Sequence, residues 1–399
     1  MLKIKIIFLI IILLFFSISY PASLDASKKV FYPLNMENEY AFLIAGGYNS
    51  ANNHARYWND IGEAYQILKQ YGYTDKNIIV FYANGNYPNS SNCHNWLSVK
   101  QQYSSIQIDY AATKSNLENA IASIPHSKSN GLFVFSTDHG MADGSLVLWG
   151  EFVSPEEFSD IFSPTLEYRM RVFEFEQCYS GAFLAPLSSK NTIIVTASTD
   201  AELSWALPPD YSYDSFNFFF NSALKGSFPE GYTYPVPPSA ADVDRDGRIS
   251  IAEAFNYVSN LINFDLKSTP WYNEGGDGIP TNSTANIIGT GSLGDLIHLG
   301  VMTVLRPEIL GAISLSTSVD PSLNRPIYTK ELSIFLEKLN SIETLIKGSN
   351  NQDAIKLYNE AMKLKGIAES EAENERYLQA RNKLREGSSL LETLNSLLS

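Results

Sequence analysis

Five short, largely apolar segments of strand length constrain this chain more than any other feature. Tyr40–Ala45 is continuously apolar, and Asn77–Ala83, Leu132–Thr137 and Thr192–Ala197 are apolar but for polar residues at or near their ends. Val172–Gln177 (VFEFEQ) reads as a further strand with Glu174 and Glu176 inside it. Such strands must be covered on both faces, as in a parallel sheet wrapped by helices. The segments between them carry the helix period. Ile61, Ala64, Tyr65, Leu68 and Tyr71 recur at three and four residues, and Thr113–Ile124 reads as a short helix. Ser154-Pro155-Glu156-Glu157 is a helix start with a capping box and Pro at its first position. Buried strands alternating with helices predict an α/β, doubly wound, mainly parallel sheet.

Composition narrows the class. Of 399 residues, 44% are apolar and 13% aromatic, enough for a sizeable core and too many for a mainly disordered chain. Lys and Arg number 29 against 43 Asp and Glu, a net charge of −14, which argues against nucleic acid or an anionic lipid surface as partner. The two cysteines, Cys93 and Cys178, exclude a disulfide-rich scaffold and a four-cysteine metal site.

Met1–Ser23 reads as a secretory signal: Lys3 and Lys5, then the apolar run Ile6–Phe16, then Ser17, Ser19, Pro21, Ala22 and Ser23. The run is shorter than the ~20 residues of a spanning helix, so cleavage is expected, and with it an extracytoplasmic protein with no stable membrane span. Asn89-Ser90-Ser91 and Asn282-Ser283-Thr284 are glycosylation sequons. The chain divides into an α/β domain at 30–305 and a helical segment at 328–399. In the latter, Leu332, Phe335, Leu336, Leu339, Ile342, Leu345 and Ile346 repeat at helical spacing. Asn84–Tyr110 and Ser227–Ser239 read as long loops, Ile251 to Ile262 as a helix, and the stretch from there to Gly294 as a Gly- and Asn-rich loop.

Two strand ends carry the chemistry. The third run passes into Asp138-His139-Gly140, with a hairpin turn at Asp143-Gly144, and the fourth passes into Cys178-Tyr179-Ser180-Gly181. Ligands of open parallel sheets bind beyond the carboxyl ends of the strands, so a thiol and an imidazole arrive on one edge. Nucleophilic cysteine catalysis needs that pairing, with glycines leaving backbone N–H groups free to meet an oxyanion. On the residues alone, Cys178 is also open to a disulfide with Cys93.

Phe133–Gly140 and Glu174–Gly181 resemble the two signature blocks of the legumain family of cysteine peptidases, in the caspase-like clan. The first strand and Ala64-Tyr65-Gln66-Ile67 are similar as well, and the likeness covers about Tyr40 to Leu224. The resemblance implies a caspase-like fold, Cys178 as nucleophile, His139 as its partner, and an oxyanion hole from the N–H groups of Gly140 and Cys178. It implies a specificity pocket lined by Arg56, Glu176 and Ser204. Donating from Arg56 and accepting at Glu176, such a pocket suits a carboxamide, hence cleavage after Asn, and after Asp at acidic pH. Arg56 and Glu176 are also open to being a structural ion pair. Where the family places an Asn two residues before the pocket Arg, this chain has His54, which leaves Asn53 as the candidate to orient His139. The family contains both hydrolases and transamidases, and a non-catalytic calcium-binding adhesion module on the same scaffold is the remaining alternative. Legumains carry a helical C-terminal prodomain over the active site; 328–399 is similar in placement and helicity, and a partner-binding bundle fits it equally.

Asp242-Val243-Asp244-Arg245-Asp246-Gly247-Arg248-Ile249-Ser250-Ile251-Ala252-Glu253 resembles the twelve-residue calcium loop of EF-hands. Asp242, Asp244, Asp246, the Arg248 carbonyl, Ser250 and a bidentate Glu253 form the expected ligand set for a structural Ca2+. Pro235–Pro238 argues against an entering helix. No metal or cofactor is expected for the catalysis itself.

Overall fold

The computed structural model describes residues 29–265, 268–305 and 351–373, with scattered residues in 332–346 and 383–394. The secretory signal expected at Met1–Ser23 lies outside them. The chain separates into two compact units, one ending at Leu305 and one spanning residues 306–399. Among the described residues, no helix is long and apolar enough to cross a membrane.

The strands of the first unit are β1 (Lys29–Pro33), β2 (Glu39–Ala45), β3 (Ile78–Tyr82), β4 (Gly131–Ser136), β5 (Leu146–Leu148), β6 (Glu151–Val153), β7 (Met170–Phe175), β8 (Thr192–Thr196), β9 (Trp271–Glu274), β10 (Ile297–His298) and β11 (Val301–Leu305). The central sheet runs β3-β2-β4-β7-β8-β9. All five segments are present in it and pair in parallel, while β9 closes one edge antiparallel to β8. This is the expected α/β architecture, a mainly parallel sheet flanked by helices.

Side-chain alternation sorts the sheet into two buried layers. Ala41, Leu43 and Ala45 of β2 point into one core, Phe42 and Ile44 into the other. The first core is covered by α1 (Ala55–Gln70), α4 (Ser215–Lys225) and α5 (Ile251–Asp265), the second by α2 (Lys114–Ser123) and α3 (Pro155–Ile161). Local signals act as read: Thr113 caps α2 by accepting from the Asn116 N–H, and the Ser154–Glu157 capping box opens α3.

Three elements lie outside the sequence expectations. The helix α4, SFNFFFNSALK, carries Phe216, Phe219, Phe220, Ala223 and Leu224 at helical spacing, a signal that went unread, and its Ser and Asn residues are buried along with them. The strand β9 lies inside the stretch expected to be a loop, and β1, β11 and β10 form a separate antiparallel sheet. In the second unit, α6 (Gln352–Glu373) is helical, and Phe335, Leu339, Ile342, Ala354, Ala361 and Leu391 share a small core of their own.

Candidate active site

Strand register delivers His139 and Cys178 to the same place. β4 and β7 are neighbours, with Ser136 opposite Phe175, and each residue lies three positions beyond its member of that pair. The two turns then meet through backbone. A Cβ built on Gly140 would stand 1.9 Å from the Cys178 carbonyl oxygen, so only glycine permits this approach. Tyr179 takes a left-handed φ of 59° and donates its N–H to the Glu202 carbonyl at 2.8 Å. That sharp turn leaves Cys178 partly exposed at the sheet edge, and it is a free thiol. Cys93 is a separate buried thiol, so the disulfide alternative fails.

Asp138 ties this edge together. Its carboxylate accepts from the N–H groups of Gly46, at 3.0 Å, and of Gly47, which follow β2. It also accepts from the His139 N–H at 2.5 Å. Gly47 has φ +66°, and a side chain there would run into Asn53. The loop after β2 is thereby fastened to the loop after β4.

The His139 ring sits edge-on to Tyr57 and His54, with centroids 5.7 Å away in each case. Burial, with the Arg56 charge second, lowers its pKa, while a hydrogen bond to the Asn52 backbone opposes the shift. Its Nε2 is buried and has no hydrogen-bond partner. Asn53 does not orient this ring. Its side-chain amide donates to the Tyr82 hydroxyl at 2.9 Å and the Asn92 carbonyl at 2.6 Å, deep in the interior. The backbone of its neighbour Asn52 makes the contact instead. His54, at the start of α1, is depressed to about 4 by burial first and Arg56 second, so it stands as a neutral imidazole.

The pocket differs from expectation in its pairing. Arg56 Nε donates to Asp214 Oδ1 at 2.8 Å, and its guanidinium also lies over the Tyr57 ring at 4.5 Å. Glu176 is not its ion-pair partner. The Glu176 carboxylate accepts from the Asn217 N–H at 2.7 Å, and its other oxygen is buried with no hydrogen bond. Burial first, then the charges of Asp214 and Asp60, push Glu176 well above the usual carboxylate range. Asp60 is raised in the same way, by burial and then by Asp214. Thr137 donates towards both Asp60, at 3.1 Å, and Asp214, at 3.2 Å. Of these three carboxylates, only Asp214 is paired with the guanidinium. Ser204 lies on the nucleophile: its hydroxyl and carbonyl are 3.7 and 3.8 Å from Cys178 Sγ. Asp214 and Asp60 were missed in the sequence. Asp214 precedes α4, a helix that went unread, and Asp60 lies one helical turn after Arg56, where an i,i+4 charge pair reads as a surface feature.

The loop at 242–253 is partly as expected. Asp242, Asp244 and Asp246 bring carboxylate oxygens within 4.8 Å of one another, and Asp242 Oδ1 is buried without a hydrogen bond. Arg245 and Gly247 supply the positive φ values of the turn. Glu253, the last residue of the expected ligand set, closes the loop through hydrogen bonds. One oxygen accepts from the Val243 and Asp244 N–H groups, and the other from the Ser250 N–H and hydroxyl. Ser250 in turn accepts from the Glu253 N–H, a reciprocal cap that starts α5. The Arg248 N–H donates to Asp246, and its guanidinium covers Phe31. The three aspartates fit a hard cation, and the Ser250–Glu253 cap closes the far end of the same loop.

Residues 39–227 match the family model described as the Peptidase C13 family, and both strand-end blocks fall inside the match. The chain is 28% identical over 199 residues to the vacuolar-processing enzyme delta-isozyme of Arabidopsis thaliana, covering 44% of this chain and 42% of the relative. It is 28% identical over 211 residues to the vacuolar-processing enzyme of Vicia sativa, covering 43% and 42% respectively. The chain therefore spans less than half the length of the curated relatives it matches.

Proposed function

We propose that this protein is an extracytoplasmic cysteine endopeptidase of the legumain-like kind, cutting peptide bonds after Asn and, at acidic pH, after Asp. The apposition of Gly140 to the Cys178 backbone carries the reading, because it sets an imidazole-bearing turn against a thiol-bearing one at a sheet edge. The Cys178 thiolate attacks the carbonyl carbon of the substrate residue. The N–H groups of Gly140 and Cys178 receive the oxyanion, and His139 gives its proton to the departing amine as the C–N bond breaks. Water then attacks the thioester, and the Cys178 thiol is restored. A neutral His139 at rest, as its lowered pKa implies, can take the thiol proton and pass it on.

The buried charges support the carboxamide preference. Arg56 offers N–H donors, and the carboxylates around it offer acceptors. A substrate Asp resembles Asn in shape and donors once its own carboxyl takes a proton, so its acceptance should grow at acidic pH. Secretion rests on the Met1–Ser23 pattern. A structural calcium ion at Asp242, Asp244 and Asp246 rests on the clustered oxygens.

Cleavage of a peptide library by wild type, Cys178→Ala and Arg56→Ala, read by mass spectrometry, tests the proposal. Wild type should cut after Asn, Cys178→Ala should make no products, and Arg56→Ala should lose the Asn preference while its thiol still reacts with a probe. Equal wild-type cleavage after Lys or Leu would overturn the specificity. Products from Cys178→Ala would overturn the mechanism.

A further inference from the structure

The turn that carries His139 continues into a hairpin whose two faces have different fates. Its strands, β5 and β6, pair Leu146 with Val153, Val147 with Phe152 and Leu148 with Glu151. Leu146, Leu148 and Val153 are in the second core. Alternation puts Val147 and Phe152 together on the opposite face, away from that core. Phe152 is 47% exposed there, and two more large apolar residues stand open nearby, Tyr48 at 39% and Met141 at 42%. These are not scattered. Together with His139 and Gly140 they line one cavity of about 320 Å³.

The walls are built from two loops fastened to each other. Tyr48 belongs to the loop after β2, and its ring stacks on Phe152 with centroids 5.1 Å apart and planes 18° apart. The Tyr48 carbonyl accepts from the Gly150 N–H at 2.8 Å, where the hairpin turns. The adjacent Trp149 N–H donates to the Ala112 carbonyl at 2.9 Å, anchoring the same turn to the body of the sheet. An apolar surface left open at a tied, preformed concavity suits a side chain that visits and leaves.

We propose that this cavity receives the apolar side chain of the residue immediately following the scissile bond. The assignment rests on the peptidase reading above. In that chemistry His139 delivers a proton to the departing amine, so the leaving half of the substrate lies on the side of His139. His139, Gly140 and Asn52 line the cavity together with the apolar side chains of Tyr48, Met141, Val147 and Phe152. The Arg56–Asp214 pocket is a different set of residues and takes the other side of the bond. This chain therefore discriminates on both sides of the cut: a carboxamide before it, an apolar group after it.

The test is a set of quenched-fluorescence peptides identical except for the residue after Asn, taken as Leu, Phe, Ser and Asp. Wild type should favour Leu and Phe over Ser and Asp by roughly tenfold or more in kcat/KM. Phe152→Ser should compress that ratio towards one, and Phe152→Leu should restore most of it. Tyr48→Ala should act in the same direction as Phe152→Ser. Probe labelling of Cys178 in each variant reports that the fold is intact. A wild-type ratio near one, or a ratio unchanged in labelled Phe152→Ser, overturns this proposal and leaves the peptidase reading standing. Failure to cleave any peptide of the set overturns both.

Discussion

The strand-end site and the acidic loop at 242–253 were both visible as short sequence motifs, yet they hold their functional groups differently. His139 and Cys178 are far apart in sequence and are brought together by register and by backbone contact at Gly140. The loop residues are contiguous, so their path is set locally, but their oxygens are free to choose partners. Glu253 chose backbone N–H groups and a helix cap. The lesson is that a motif on a sheet edge specifies where side chains go once the sheet is known. A contiguous motif specifies the turn and leaves the last ligand undetermined.

The sharpest way to break that comparison is Gly140→Ala. Its new Cβ would meet the Cys178 carbonyl oxygen at 1.9 Å, so one turn must move. Displacement of about an ångström at a reacting pair costs on the order of 100-fold. The expected result is a loss of at least roughly that size in kcat/KM, with circular dichroism unchanged. Full activity in Gly140→Ala would mean that the backbone apposition does not hold the pair.

A smaller effect should appear in stability against pH. Asp60 is raised well above the ordinary carboxylate value, by burial and then by Asp214. A carboxyl group raised in the folded state binds its proton more tightly there than in the unfolded chain. Its contribution to stability is therefore complete below its unfolded pKa, near ~3.9, and is lost as pH rises through the folded value. Urea unfolding should show stability falling from acidic towards neutral pH, and Asp60→Asn, neutral throughout, should make the slope shallower. An unchanged slope would remove Asp60 as a source of the pH dependence.

The smallest effect is expected at the loop, in melting temperature. A cation at about 100 times its dissociation constant stabilises the bound form by about 2.7 kcal/mol. Excess chelator should lower the melting temperature by a few degrees in wild type and leave Asp242→Asn unaffected. Glu253→Gln is the poorer probe, because it disturbs the cap of α5 whether or not calcium binds. Identical wild-type melts with calcium and with chelator would show that the aspartates hold no ion.

Much of the α/β domain was legible because its signals are strong ones: largely apolar strands, a capping box at Ser154, glycines beside His139 and Cys178. The specificity pocket was legible only in part. Arg56 and Glu176 could be found through a resemblance, but the ion pair is made with Asp214, at the head of a distant helix whose placement only the fold supplies. The role given to Asn53 moved by one residue, from a side chain to a backbone group, and no sequence pattern encodes a carbonyl's direction.

The pairing of Arg56 with Asp214 joins positions 158 apart in the chain, and Asp60 meets the same carboxylate's backbone across 154. Contacts so distant form late, after the loops between them have closed. During synthesis from the amino end, the thiol of Cys178 is made well before Asp214 exists to complete the charge pair. The Arg56 side of the candidate site can therefore be completed only after synthesis has passed Asp214, later than the turn that carries Cys178.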